Sequence, residues 1–237
     1  MKDKISVAMA TYNGDKYIKK QINSILENLN DNDELIISDD GSTDETIKIV
    51  NEISKIDNRV KIFEGPHNGV KKNFANAIEK CTGDYIFLSD QDDIWKENKV
   101  KIVMSYFKKE NCMLIQHDAV VVDKDEKEMI PSFFEFRKCK TGIIRNIYKN
   151  RYIGCCMAFD KKLKKYILPI PNNIEMHDQW IGILAEEYGK SVFIKDKLIN
   201  YRRHEDNASD CFKHYPMKRM VNNRLNLIKE LIKEKMK

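Results

Sequence analysis

Asp90, Asp92 and Asp93 fall within four residues, in the segment Ser89-Asp90-Gln91-Asp92-Asp93, directly after the apolar run Tyr85-Ile86-Phe87-Leu88. A run of that length and composition reads as a buried strand, so the carboxylates emerge together at its C-terminal end. Three acids so close repel one another unless a cation joins them. Their hard oxygens suit Mg²⁺ or Mn²⁺, and Mg²⁺ is typically held by one or two carboxylates together with substrate phosphates. The alternative is a plain turn, with Asp93 capping a helix that starts near Lys96.

A second acidic loop favours the site. Leu35-Ile36-Ile37 reads as another buried strand and ends in Ser38-Asp39-Asp40-Gly41-Ser42-Thr43-Asp44. In open α/β sheets ligands bind outside the carboxyl ends of the strands, so parallel strands would bring both loops to one rim.

The elements that position these loops alternate. Strands are expected at Ile5–Ala10, Leu35–Ile37, Val60–Phe63 and Tyr85–Leu88. Helices are expected over 16–29, from a cap at Ser42 or Thr43 through Ile53, around Phe74–Cys81 and over 96–109. Repeated β-α units predict an α/β fold with a doubly wound, mostly parallel sheet. The second half is less regular. Strands are expected at Met113–Val122 and Ile153–Phe159, a charged turn at Asp123–Glu128, and either loop or helix over 129–150. A helix from Asp178 to Tyr188 and an extended stretch Val192–Tyr201 follow. The last helix carries Met220, Val221, Leu225, Leu227, Ile228, Leu231 and Ile232 on one face.

With 237 residues, 42% hydrophobic and 33% charged, the chain has the composition of a folded globular protein. No apolar stretch approaches the roughly 20 residues that span a bilayer, and Met1-Lys2-Asp3-Lys4 leads into a strand, so a cytoplasmic location is expected. Cys81, Cys112, Cys139, Cys155, Cys156 and Cys211 form no Cys-x-x-Cys pair and read as small buried hydrophobes. The net charge of +5 resides in the tail: residues 213–237 hold eight Lys/Arg against two Glu, or +6, which leaves −1 for the rest. No basic stripe interleaved with aromatics suggests nucleic-acid binding.

Taken in order, the motifs resemble those of inverting glycosyltransferases of family 2 with a GT-A fold. They are Ala10-Thr11-Tyr12-Asn13-Gly14, Ser38-Asp39-Asp40-Gly41-Ser42-Thr43-Asp44, Asn68-Gly69 with Asn73, Asp90-Gln91-Asp92-Asp93, His177-Asp178-Gln179-Trp180 and Tyr201-Arg202-Arg203-His204. The likeness covers about Ile5 to Ser209 and is strongest to rhamnosyltransferase-like bacterial members. It implies one domain over 1–212, with a nucleotide-binding half to about 110 and an acceptor half beyond it, followed by a basic amphipathic helix over 213–237.

The resemblance also implies roles. Ala10, Thr11, Tyr12, Asn13, Asp39, Asp40, Asn73, Asp90 and Gln91 would bind the nucleotide of a UDP- or dTDP-sugar. For Asp39 a helix cap competes with this, and Asp44 reads as a first-turn helix residue. Asp92 and His204 would ligate Mg²⁺ or Mn²⁺. Asp178 would be the catalytic base, with a helix cap as its competing role, and His177 would be structural. Gly154, Cys155, Trp95, Arg202 and Arg203 would line the donor and acceptor pocket, although Trp95 and Trp180 are side chains more often found in cores. The acceptor would be a saccharide or lipid-linked saccharide in cell-surface polysaccharide synthesis.

Other functions fit less well. A dehydrogenase is disfavoured because the chain has no Gly-x-Gly. A nucleotidyltransferase should carry a Gly-rich basic loop after the first strand, and a glycosidase using Asp92 and Asp178 would not need the Asp39-Asp40 loop. A catalytically inactive carbohydrate-binding relative would not need Asp92, Asp178 and His204 together. For the tail, docking of the last helix on its own domain is expected, with peripheral attachment to anionic lipid as the alternative.

Overall fold

The computed structural model describes residues 3–205 and 216–236; Cys211 and residues 213–215 of the basic tail lie outside them. Strand β1 (Ile5–Thr11) is buried along its whole length and leads to helix α1 (Ile18–Leu26). Strand β2 (Glu34–Asp39), helix α2 (Thr46–Ser54), strand β3 (Val60–Glu64), helix α3 (Val70–Lys80) and strand β4 (Tyr85–Ser89) continue the alternation. Then come β5 (Ile94–Trp95), α4 (Lys99–Glu110), β6 (Leu114–Val122), β7 (Glu128–Ile130), α5 (Phe133–Arg137) and α6 (Ile143–Tyr148). The remainder is β8 (Met157–Asp160), α7 (Lys164–Ile167), α8 (His177–Glu187), β9 (Ser191–Arg202) and α9 (Met217–Lys235).

All these strands join one sheet, in the order β3-β2-β1-β4-β8-β6-β9-β5, with β7 on the side of β6. Strands β3, β2, β1 and β4 are parallel, β8 runs antiparallel to both β4 and β6, and β6 pairs in parallel with β9. The chain runs outward from β1 to β2 and β3, then returns to place β4 on the other side of β1. That reversal opens a crevice beyond the carboxyl ends of β1 and β4, where ligands bind in open α/β sheets.

Each face of the sheet carries its own core. Ile18, Ile22 and Ile25 of α1 and Val50 of α2 pack with Val7, Met9, Leu35 and Ile37 on one face. Phe74, Ala77 and Ile78 of α3 pack with Ala8, Ala10 and Ile36 on the other. Burial on both faces explains why β1 and β2 read as continuous apolar runs. Glu34 ties the edge of this layer: its buried carboxylate accepts from Ser6 Oγ, Thr82 N and Lys61 Nζ. Burial alone would raise its pKa, but these donors reverse the effect and hold it at about 2.

Several boundaries differ from the sequence expectation. The segment expected as a strand from Ile153 begins as a 3-10 turn, Gly154–Cys156, and becomes strand only at Met157. The helix expected from Lys96 starts at Lys99, because Ile94–Trp95 is drawn into the sheet against β9. Asp93 does not cap that helix; it accepts from Arg202 N at 2.9 Å. Neither Ser42 nor Thr43 caps α2. Asp44 does so from just outside the helix, its Oδ1 accepting from Thr46 N at 2.9 Å. The ambiguous stretch 129–150 resolves into the end of β7 and the short helices α5 and α6.

Candidate active site

The loops after β1, β2 and β4 converge with the start of α8 and the end of β9 around one cavity of about 520 Å³. Among the residues singled out from sequence, Ala10, Thr11, Tyr12, Asp40, Asn73, Asp90, Gln91, Asp92, Gly154, Asp178 and Arg203 line it. His67, Met176, His177 and Tyr201 line it as well, and sequence reasoning missed them as site residues. His177 carried a signal, since it directly precedes Asp178.

The β1 rim is clipped into place. Gln91 Oε1 accepts from Tyr12 N at 2.8 Å and Gln91 Nε2 donates to Tyr12 O at 3.0 Å, leaving the Tyr12 ring 57% exposed at the mouth of the cavity. Asn73 Nδ2 donates to Thr11 O at 3.0 Å from beneath. The Asp40 carboxylate accepts from Asn68 N and Gly69 N, the latter at 2.7 Å. Gly69 adopts a φ of +78, which a side chain would disfavour, and so turns its N–H toward Asp40.

Other expected ligands are occupied elsewhere. Asp39 is buried away from the cavity, accepting from Thr11 Oγ1, Gly41 N, Ser42 N and Ser42 Oγ. It organises the loop that presents Asp40. Asn13 lies outside the cavity too, its Oδ1 taking Thr43 N at 2.8 Å. Trp95 is a core residue, 3% exposed. Arg202 is buried and braces the acidic loop, with Nε donating to Asp92 O at 2.8 Å and Nη1 to Lys124 O at 2.9 Å.

The acidic cluster joins half-buried Asp90 to buried Asp92 and Asp93. Asp93 and Cys155 are buried, and Asp90, Asp93 and Cys155 bring one ligand atom each to within 4.8 Å of one another. Burial, with Asp92 and Asp178 adding repulsion, pushes the Asp90 carboxyl up to about 7. Burial also raises Asp93 well above the usual range, and its Oδ2 has no partner. Beneath them lies Lys99, fully buried, its ammonium donating to Cys155 O at 3.1 Å and sitting 3.9 Å from the centre of the Trp95 ring. Burial lowers Lys99 to about 8, against the pull of nearby Cys and Asp groups. No spacing in the sequence marked this lysine. Its ammonium and the Asp90 and Asp93 carboxyls attract one another.

Asp90 and Asp92 both line the cavity. Asp92 Oδ2 and His204 Nε2 lie 2.8 Å apart, and the His204 ring is supported by Tyr17 at 4.9 Å between centroids. Asp92 lines the cavity and His204 meets it from outside the lining. A carboxylate with an imidazole is a donor set that fits a divalent cation, whereas the group of Asp90, Asp93 and Cys155, with its thiol, suits Mg²⁺ poorly. Arg203, also in the lining, donates to the Tyr201 hydroxyl at 3.0 Å and turns its guanidinium over that ring.

Asp178 sits in the first turn of α8 and is 8% exposed. Its Oδ1 accepts from Gln179 N at 2.6 Å and Asn150 Nδ2 at 2.9 Å. Burial outweighs these bonds and raises the carboxyl to about 6, which leaves it ionised yet basic at neutral pH. Gly154 permits this arrangement, since a Cβ there would meet His177 Nε2 at 2.9 Å. His177 stacks on Phe74 at 4.1 Å, and burial holds it near 3, so its imidazole is neutral.

Comparison with known proteins bears on the family and the fold. The sequence model of the family described as Glycosyl transferase family 2 matches residues 6–167. The chain is 31% identical over 218 residues to the dTDP-rhamnosyl transferase RfbG of Shigella flexneri, covering 84% of this chain and 72% of that protein. Among solved structures it is similar to S. aureus TarS 1–349 in complex with UDP-GlcNAc, with a TM-score of 0.76 at 20% identity, covering 96% of this chain and 66% of that one. It is also similar to the mannosyltransferase PcManGT from Pyrobaculum calidifontis in complex with GDP-Man and Mn²⁺, with a TM-score of 0.68 at 16% identity, covering 87% and 59%. The chain spans about two thirds of the length of the relatives it matches first.

Proposed function

The chain belongs to glycosyl transferase family 2, and from that premise we propose that it transfers a sugar from a UDP- or dTDP-sugar to a saccharide or lipid-linked acceptor, with inversion, in bacterial cell-surface polysaccharide synthesis. The observation that carries the reading is the convergence of Asp40, Asp90, Asp92, Asp178 and Arg203 on one cavity at the point where the strand order reverses. The UDP-GlcNAc bound by TarS and the dTDP-rhamnose chemistry in the name of the Shigella relative support a nucleotide-sugar donor.

Each residue has a part suited to its place. Tyr12 offers an exposed ring edge to the base, and Asp40 and Asp90 offer acceptors to base and ribose hydroxyls. Asp92 and His204 would hold Mg²⁺ or Mn²⁺, as the Mn²⁺ in the PcManGT complex supports. Such an ion, when bound, neutralises charge on a diphosphate. Arg203 presents its forked donors to phosphate oxygens from the cavity lining. Asp178 takes the proton from the acceptor hydroxyl as that oxygen attacks the anomeric carbon opposite the leaving diphosphate. Gly154 keeps space open between the donor sugar and Asp178.

The test is a screen of UDP- and dTDP-sugars with Mn²⁺ or Mg²⁺, followed by acceptor trials with the donor consumed and NMR of the product. An α-linked donor should yield a β-glycoside, and a β-L-rhamnosyl donor an α-linked product. Net retention contradicts the single-displacement reading.

The raised pKa of Asp178 makes a further expectation. A base must be ionised, so at constant metal kcat/KM should climb from about pH 5 and level above about pH 7, with the midpoint near 6. Asp90, lifted to about 7 in the free protein, steepens the acid limb wherever it too must be ionised to bind donor. A profile flat down to about pH 5 would show that no such carboxylate acts as base.

A further inference from the structure

The last helix presents two apolar faces, and its own domain covers one of them. Leu227 is buried and Leu231 partly so, both in the core that includes α8. Arg224 anchors this side by donating to Tyr148 O from Nε at 2.9 Å and stacking 4.7 Å above the Tyr148 ring. Asn173 and Glu187 add polar ties through Glu230 and Lys235. The docking expected from sequence therefore uses Leu227 and Leu231, while the rest of the apolar set points outward.

Met217, Val221, Leu225, Ile228, Ile232 and Met236 are spaced by three or four residues and form a single stripe along the helix. All six are exposed, Leu225 by 50% and Ile232 by 54%. Each of Lys218, Lys229 and Lys233 follows a stripe residue by one position, which sets an exposed basic row along the flank of the stripe away from the docked side. Beside it, α6 exposes Ile144 and Tyr148 by 84% and 70%. The helix carries six Lys/Arg against two Glu. Among the described residues no helix is long and apolar enough to cross a membrane.

We propose that α9, with the exposed end of α6, lies on an anionic phospholipid surface, the stripe entering the headgroup boundary and the lysines reaching to lipid phosphates. The chemistry selects that occupant. Lysine stems can extend along an apolar layer while their ammonium groups stay in the polar region.

Vesicle flotation of the full chain tests this, using phosphatidylcholine with about one third phosphatidylglycerol beside pure phosphatidylcholine. The chain should float with the anionic vesicles, be released by added salt and stay unbound to pure phosphatidylcholine. The exposed double substitution Leu225→Glu with Ile232→Glu should weaken binding about tenfold or more, and Lys218→Glu with Lys229→Glu and Lys233→Glu should do likewise. Unchanged thermal unfolding of the variants is the control, so the result is independent of the transfer reaction. Absence of flotation at low salt, or binding indifferent to both variants, overturns the proposal. So does a dimer in sedimentation velocity that Leu225→Glu with Ile232→Glu converts to monomer, because the stripe would then belong to a second copy.

Discussion

Replacing Asp178 by asparagine is expected to lower transfer by about 10² or more while leaving nucleoside-diphosphate affinity near that of the parent. Asparagine keeps the size of the side chain and can still accept from Gln179 N and Asn150 Nδ2, so the start of α8 should hold. What disappears is the ionised oxygen that takes the acceptor proton. Affinity should survive because the nucleotide contacts assigned to Tyr12, Asp40 and Asp90 come from the loops after β1, β2 and β4. The split between turnover and binding separates a base from a helix cap. A cap reading predicts that Asp178→Asn leaves both turnover and stability intact, while Asp178→Ala costs about 1 kcal/mol of stability.

Replacing Asp92 by alanine is expected to remove donor binding and turnover together. Its carboxylate meets His204 at 2.8 Å and lies beside Asp90. Without it the cation loses one of two proposed ligands, and the diphosphate loses the charge that offsets its own. Donor affinity should fall by about 10-fold to 100-fold and transfer by more. Arg202→Lys offers a contrast, since that buried guanidinium braces the loop through the Asp92 carbonyl and never reaches the cavity.

The parallel half of the fold was legible because β1, β2 and β4 are buried on both faces, and their helices alternate with them at the helical period. The acidic rim was legible for the same reason: the strands fix where their carboxyl ends lie. What sequence could not supply was the inward or outward direction of each polar side chain in the loops. Asp39 and Asp40 are adjacent, yet one is consumed by Thr11, Gly41 and Ser42 while the other opens on the cavity. Arg202 and Arg203 divide in the same way, because successive residues at the end of β9 and just past it point to opposite sides, Tyr201 and Arg203 sharing the cavity side. Lys99 left no trace in the pattern, since its position beneath Cys155 depends on β5 being drawn into the sheet before α4 begins. Gly154 was readable as a small residue, but the turn it permits against His177 was not.

The central claim is that the rim beyond β1, β2 and β4 is a cation-bridged site for a nucleoside diphosphate. Calorimetric titration of the full chain with UDP and with dTDP, in Mn²⁺ and again in EDTA, tests it most directly. One of the two nucleotides should bind at least about tenfold more tightly with Mn²⁺, and Asp92→Ala should abolish that difference. Equal affinity in Mn²⁺ and EDTA, or binding of neither nucleotide, would contradict the account.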